Sequence, residues 1–470
     1  EGIDDGDIDD VHSYINWYDH CIFKQFNGEF QRDHKNEGRP LISQEMSTGY
    51  PNNETGHPTR FYTLVHQNPQ ALVGYEAYAF GNPEAFLKVQ SFITGELAEA
   101  LRRSNDRGSG ILHFALLTWF RTVYDAENME PYPTYYAMQR ALQPILVSAE
   151  LWGRNFYAGE KLPARICVVN DWESGDDLKP TWLHWQIETG NGQVIASGKE
   201  EVPAVKHYGR QWLTPGIPIP ENLPAAKTKA KLRLRLTENG REVSANEYEI
   251  LLAERRWTQP ATAGKRIVLV DNNRISTVLD ALNVPYRLVP DIRQAVKQPA
   301  DLLIVSGNEN TGVQQAGDLK QYIAGGGKVL MLNNEETAKA VFPEYITGWL
   351  EPTEGDIVNM EIPESPVFDA IDLLELRYFN NNRREIPVVC RTALHLNRNE
   401  KVEELANQTK IHGYINGDME QRSNYVKTIK AFPIVKITEG KGEALVSTMA
   451  HDKALTDPVA ARLLANMILF

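Results

Sequence analysis

A short apolar run, Pro40-Leu-Ile-Ser-Gln-Glu45, ends in a carboxylate and is followed by small polar residues and Gly49. A glutamate at the carboxyl end of a buried strand is where barrel enzymes place their chemistry. The competing reading is a surface glutamate that merely ends a strand. Two neighbouring segments bear on the choice. Val11–Tyr18 holds His12, Tyr14, Trp17 and Tyr18, and Gly110–Phe120 is a second apolar run that reaches Trp119 near its end. Aromatic rings beside a carboxylate suit a sugar, whose C–H faces stack on rings while its hydroxyls take hydrogen bonds. Taken singly, each of these aromatics reads as core.

Other motifs carry less chemistry. Asp5, Asp7 and Asp9 alternate as in a calcium loop, but that loop also needs Gly at its sixth position and Glu at its twelfth, where Asp10 and Asn16 stand. The acidic opening reads as a solvated loop. A phosphate cradle must follow a strand and open a helix. Gly325-Gly326-Gly327 does the reverse, ending a helical pattern before the apolar run at 328–332, and reads as a helix C-cap with a tight turn. Cys21, Cys167 and Cys390 are far apart, which predicts neither a disulfide framework nor a zinc site. No cofactor and no metal are indicated.

These candidate residues depend on three successive textures to position them. The chain has 470 residues, 42% hydrophobic and 24% charged, enough to bury sizeable cores. Its net charge of −13 argues against binding a nucleic-acid backbone. No apolar run approaches the ~20 residues that cross a bilayer. Residues 1–148 mix short apolar runs with an amphipathic helix over 86–101 (Phe86, Leu87, Val89, Phe92, Ile93, Leu97, Leu101) and a second helix over Pro133–Leu146, as in part of an α/β domain. Residues 149–256 alternate in short segments (165–170, 182–188, 193–197, 231–237) separated by Asn191-Gly192, Asn239-Gly240 and prolines at 215–224, the pattern of an antiparallel sandwich. Leu232, Leu234 and Leu236 alternate with Lys231, Arg233 and Arg235, which predicts one buried and one wet face. After a linker at 257–264, residues 265–470 run strand, helix, strand, helix, strand (266–270, 302–305, 328–332) and close on a helix at Pro458–Phe470. That order predicts a doubly wound parallel sheet.

The order of the segments resembles a known family. His12-Ser-Tyr14 with Trp17-Tyr18, then Pro40–Glu45, then Gly110 to Thr118-Trp119, then Pro133-Thr-Tyr-Tyr136 to Arg140 leading into a sandwich is similar to the C-terminal portion of glycoside hydrolase family 2, over about residues 8–255. The family includes β-galactosidases, β-glucuronidases and β-mannosidases. Residues 265–470 resemble the class I amidotransferase-like, flavodoxin-type modules that some β-galactosidases carry for assembly. Catalytic amidotransferases place a nucleophilic Cys in a strand-to-helix elbow. Here Ser306-Gly-Asn-Glu-Asn-Thr-Gly312 follows the strand, and Cys390 lies in an apolar stretch and reads as core.

The resemblance implies a multidomain α/β plus β architecture: part of a (β/α)8 barrel, an Ig-like β-sandwich and a flavodoxin/amidotransferase-like domain. It implies retaining cleavage of β-glycosidic bonds in oligo- or polysaccharides. Glu45 matches the family's nucleophile, and Tyr14 the tyrosine that hydrogen-bonds it. His12 lies in the same site, Trp119 matches the wall of the sugar nearest the scissile bond, and Glu76 is a further candidate for the substrate side. The family's acid/base is the Glu of an Asn-Glu pair upstream of the His-x-Tyr segment. Only ten residues precede Val11, and the pairs at 36–37, 53–54, 308–309, 334–335 and 399–400 all lie downstream in polar contexts. The acid/base is therefore expected from an N-terminal half of the same enzyme. A homo-oligomer through residues 265–470 and a periplasmic or extracellular location follow from the same resemblance. The alternative is an inactive glycan-binding or assembly chain.

Overall fold

The computed structural model describes residues 7–12, 39–46, 51–56, 83–104, 108–113, 119–272, 274–307, 309–350, 358–377, 379–380, 389–412 and 427–470. These fall into two compact units, one running to Leu252 and one beginning at Ala253.

The first unit opens with a three-stranded parallel sheet of β1 (Asp9–His12), β2 (Leu41–Met46) and β3 (Gly108–His113), in chain order. Parallel neighbours need a crossover connection. Between β2 and β3 the described parts of that connection are the loop at 51–56 and α1 (Pro83–Ser104). Helix α1 buries the predicted apolar face through Phe86, Leu87, Ile93, Leu97 and Leu101. Its polar face is buried as well, because Gln90, Thr94, Glu96, Glu99, Arg102 and Arg103 are all under 9% exposed. Leu41, Leu97, Ala98, Leu101, Met138 and Ala141 form a small core, with Ile111 and Trp119 packed against it.

A short hairpin of β4 (Phe120–Arg121) and β5 (Glu130–Pro131) leads into α2 (Pro133–Ala141). The predicted helix over Pro133–Leu146 ends five residues early. Pro144 disfavours helical backbone at the residue before it, and Ile145–Glu150 is already strand β6. Strand β3 is described over Gly108–His113, and residues 114–118 of the same apolar run lie outside the described residues.

Two antiparallel sheets follow. The five-stranded one has the order β10-β9-β12-β13-β7 and the three-stranded one β11-β8-β6. Their strands are β7 (Asn155–Tyr157), β8 (Arg165–Asn170), β9 (Thr181–Thr189), β10 (Val194–Val202), β11 (Arg210–Leu213), β12 (Lys227–Glu238) and β13 (Arg241–Ala253). Leu232, Leu234 and Leu236 pair with Ile187, Trp185 and Leu183 and face a shared core that includes Val147, Ile166 and Val168. The β12–β13 turn holds Asn239 at φ 50° and Gly240 at φ 81°. Two left-handed residues match the twist of the strands they join.

Helix α1 is tied to these sheets by buried polar groups. Glu99 accepts from the Ser148 and Tyr248 hydroxyls, each at 2.5 Å, and from Asn246 Nδ2 at 2.9 Å. Arg103 donates to Ser148 Oγ at 2.6 Å and to the Ala149 carbonyl at 3.1 Å. Arg102 donates to the Ala141 and Gln143 carbonyls and pairs with Asp171 at 2.8 Å. Arg154 pairs with Glu96.

The second unit is built on one ten-stranded sheet. Strands β14 (Ile267–Val270), β15 (Arg287–Val289), β16 (Leu302–Ser306), β17 (Lys328–Leu332) and β23 (Gly442–Ser447) are parallel, in the order β15-β14-β16-β17-β23. Helices α3 (Ser276–Ala281), α4 (Ala316–Ala324) and α5 (Glu335–Val341) lie between them in sequence. The triple glycine does end a helix: Gly326 has φ 114° and Gly327 N donates to the Tyr322 carbonyl before β17 begins. The sheet then continues antiparallel through β22 (Lys427–Glu439), β20 (Ala393–Leu396) and β18 (Ile346–Leu350), with β21 (Val402–His412) on β22 and β19 (Val358–Met360) on β21. This antiparallel half is absent from the sequence-based expectation. The closing helix α6 (Pro458–Leu469) is buried along nearly its whole length, with Asp457 accepting from Val459 N and Ala460 N at its start.

Candidate functional site

Three strand ends meet at the carboxyl edge of the first sheet. His12, the last residue of β1, is in register with Gln44 of β2. On the other side Ser43 pairs with Ile111 and Met46 with His113, so β2 spends one more residue than β3 over that interval. Gln44 and Glu45 thus lie in a β-bulge. A bulge bends its strand and re-aims a side chain, and bulges are over-represented beside active sites. The backbone brings Glu45 to the carboxyl end of the central strand, between the ends of the strands carrying His12 and His113. Tyr14 and Glu76 lie outside the described residues.

His113 was passed over in the reading of the Gly110–Phe120 run, where only Trp119 drew notice. Its Nδ1 accepts the indole N–H of Trp119 at 2.7 Å. That bond places the imidazole proton on Nε2. Nε2 is buried and has no hydrogen-bond partner among the described residues. Burial pushes the imidazole down to about 3, so the ring is neutral at ordinary pH. The arrangement is a fixed, uncharged N–H donor at the end of β3. Its signal in the sequence was a polar residue inside an apolar run, three residues after Gly110.

Trp119 is half-buried. Its ring meets His113 at 5.4 Å between centroids and Tyr135 edge-on at 6.3 Å. The loop at 51–56 closes on the same region: Tyr132 Oη donates to the Asn52 carbonyl at 2.7 Å, and Thr122 N donates to the Asn53 carbonyl at 2.6 Å. Trp119 is therefore held from both sides, by α2 and by β3.

Among the described residues, no group of three His, Cys, Asp or Glu side chains could hold a metal. No described helix is long and apolar enough to cross a membrane. In the second unit Cys390 is fully buried, and Ser306 is the last residue of β16. Burial raises the Cys167 thiol to about 12. Cys21 lies outside the described residues.

No protein-family model matches the chain, and no curated protein matches it. Solved structures do. An exo-chitosanase of Amycolatopsis orientalis is similar at 13% identity, with a TM-score of 0.33 over 49% of this chain and 30% of that one. A β-D-mannosidase of Dictyoglomus thermophilum is similar at 15% identity, with a TM-score of 0.33 over 51% of this chain and 30% of that one. A glycosyl hydrolase family 2 member of Bacteroides cellulosilyticus is similar at 8% identity, with a TM-score of 0.18 over 42% of this chain and 37% of that one. The chain spans about 30% of the length of the first two.

Proposed function

We propose that the first unit carries the nucleophile side of a retaining β-glycosidase site. Glu45 attacks the anomeric carbon as the bond to the leaving oxygen breaks, giving a glycosyl ester that water then hydrolyses. Tyr14 hydrogen-bonds Glu45 and orients it. His12, Glu76 and the accessible part of Trp119 line the sugar. His113 holds the Trp119 indole through Nδ1, a bond that a neutral ring keeps across the working pH range. The second carboxyl, the acid/base, is not assigned to any residue of this chain. The observation that carries the reading is the bulge that sets Glu45 at the carboxyl end of a central parallel strand.

In this reading the parallel sheet is the end of a (β/α)8 barrel and the paired antiparallel sheets are an Ig-like sandwich. The second unit is a flavodoxin-type domain serving in assembly. The strand order β15-β14-β16-β17-β23, which is 2-1-3-4-5 in chain order, supports that last assignment.

The experiment is turnover of activated aryl β-glycosides by the complete protein and its Glu45→Gln and Glu45→Ala variants. Both variants are expected to lose turnover. Azide is expected to rescue Glu45→Ala by attacking the anomeric carbon from the vacated side, giving a glycosyl azide of inverted configuration. Wild-type turnover by Glu45→Gln removes the assignment.

A further inference from the structure

The outer face of the five-stranded sheet meets α2 in an open groove of about 810 Å³ that includes Gln139 and Arg140 of α2, His184 and Gln186 of β9, and Arg233 and Arg235 of β12. We infer that this groove binds an extended saccharide chain bearing carboxylate groups.

The charges are the first reason. Glu247, one of two carboxylates in the lining, is occupied by Lys231 Nζ at 2.6 Å and Arg233 at 3.2 Å. Glu188 takes the other side of Arg233 at 3.1 Å. Arg140 and Arg235 have no carboxylate within ion-pair distance among the described residues, and the remaining carboxylate, Glu242, is exposed. Lys199 on the neighbouring strand β10 is likewise without a carboxylate and lies over the Trp182 ring. A chain with a net charge of −13 thus places Arg235 and Lys199 on one sheet face and Arg140 on the neighbouring helix, none within ion-pair distance of a carboxylate among the described residues.

The spacing is the second reason. Lys199, His184 and Arg235 form one cross-strand row, since Lys199 and Arg235 are both in register with His184. Neighbouring strands lie ~4.8 Å apart, close to the rise of one pyranose unit. The row therefore sets the Cα atoms of Lys199 and Arg235 about 10 Å apart, on the scale of two sugar units. Partial burial and the charges of Arg235 and Lys199 lower the His184 imidazole, leaving a neutral hydrogen-bonding group between them. Gln139 and Gln186 add planar amides, which both donate to and accept from hydroxyls. Guanidinium groups match carboxylates geometrically. The preference for anions stands on the groove itself, whereas the choice of a saccharide rests on the glycosidase reading of the same unit.

The test is affinity electrophoresis of the full chain through gels containing polygalacturonate, its fully methyl-esterified counterpart, or a single-stranded oligonucleotide. Polygalacturonate is expected to retard the protein and the neutral ester is not. The Arg140→Ala/Arg235→Ala double variant is expected to bind polygalacturonate about tenfold more weakly. Both side chains reach solvent, and an unchanged thermal melt confirms that the variant is folded. Retardation needs no turnover, so the Glu45→Gln protein is expected to migrate as the wild type, which keeps this result separate from the nucleophile test. Equal retardation by polymer and ester, a double variant within twofold of the wild type, or tighter binding to the oligonucleotide would each overturn the inference.

Discussion

Replacing Glu99 tests whether α1 is held by its polar face. The carboxylate accepts three hydrogen bonds, from Ser148, Tyr248 and Asn246, and lies 3.4 Å from Arg103. Glu99→Ala deletes the acceptor for two buried hydroxyls and removes one of the two carboxylates, Glu96 and Glu99, whose charges act on Arg103. Removing one partner of a buried ion pair costs about 3–5 kcal/mol. Most of that cost belongs here, because Arg103 and Glu99 are both under 9% exposed and water cannot replace the lost contacts. Asn246 loses less, since its amide also donates to the Val147 carbonyl at 3.1 Å. Glu99→Gln keeps the volume and one acceptor oxygen, and is expected to cost about 1–2 kcal/mol. The assay is urea denaturation followed by tryptophan fluorescence, with limited proteolysis identifying which unit opens first. Lys206→Ala removes an exposed pair with Asp177 and is the control, expected to leave the midpoint unchanged. A loss below about 1 kcal/mol for Glu99→Ala would show that the apolar face of α1 alone holds the helix, and the argument for a polar anchor would fail.

Other perturbations have defined outcomes. Burial lowers the His113 imidazole to about 3 and that of His451, bonded to Ser447, to about 4, both from an ordinary value of 6.5. The unfolded chain therefore binds more protons between 6.5 and those values. The stability these rings contribute is complete above pH 6.5 and is lost as the pH falls through the window. Urea midpoints measured from pH 7 to pH 4 are expected to fall, and to fall less steeply in His451→Gln. Gly198→Ala would place its Cβ 2.3 Å from the Trp185 ring. It is expected to cost about 1–3 kcal/mol and to change the near-UV circular dichroism of the tryptophans.

Local pattern was readable wherever one residue type decided the outcome. The alternation of Leu232, Leu234 and Leu236, the Asn239-Gly240 turn and the triple glycine after α4 all appear where their chemistry put them. What escaped depended on distant partners. Glu96, Glu99, Arg102 and Arg103 look like the solvated face of a helix until Arg154, Ser148, Asn246 and Tyr248 arrive to bury them. His113 is one polar residue in an apolar run until the Trp119 indole fixes its tautomer. The bulge at Gln44-Glu45 is a property of two strands in register, and neither strand announces it alone. The antiparallel half of the second unit escaped because nothing local in β18, β20, β21 or β22 marks its neighbours, just as nothing local marks β17 and β23, far apart in sequence, as a parallel pair.

That last pairing shapes how the second unit is made. Strand β23 sits between β17 and β22, near the middle of the sheet, yet among the described strands of that sheet it is the last in sequence. As the chain emerges from the ribosome, β17 keeps a bare row of hydrogen-bonding groups until residues 442–447 appear. Such an edge recruits other chains. A stop codon before Gly442 would remove the strand that joins the parallel half of the sheet to the antiparallel half, leaving each with an open flank. Truncations at this end should therefore aggregate, whereas loss of a true edge strand would only shorten the sheet.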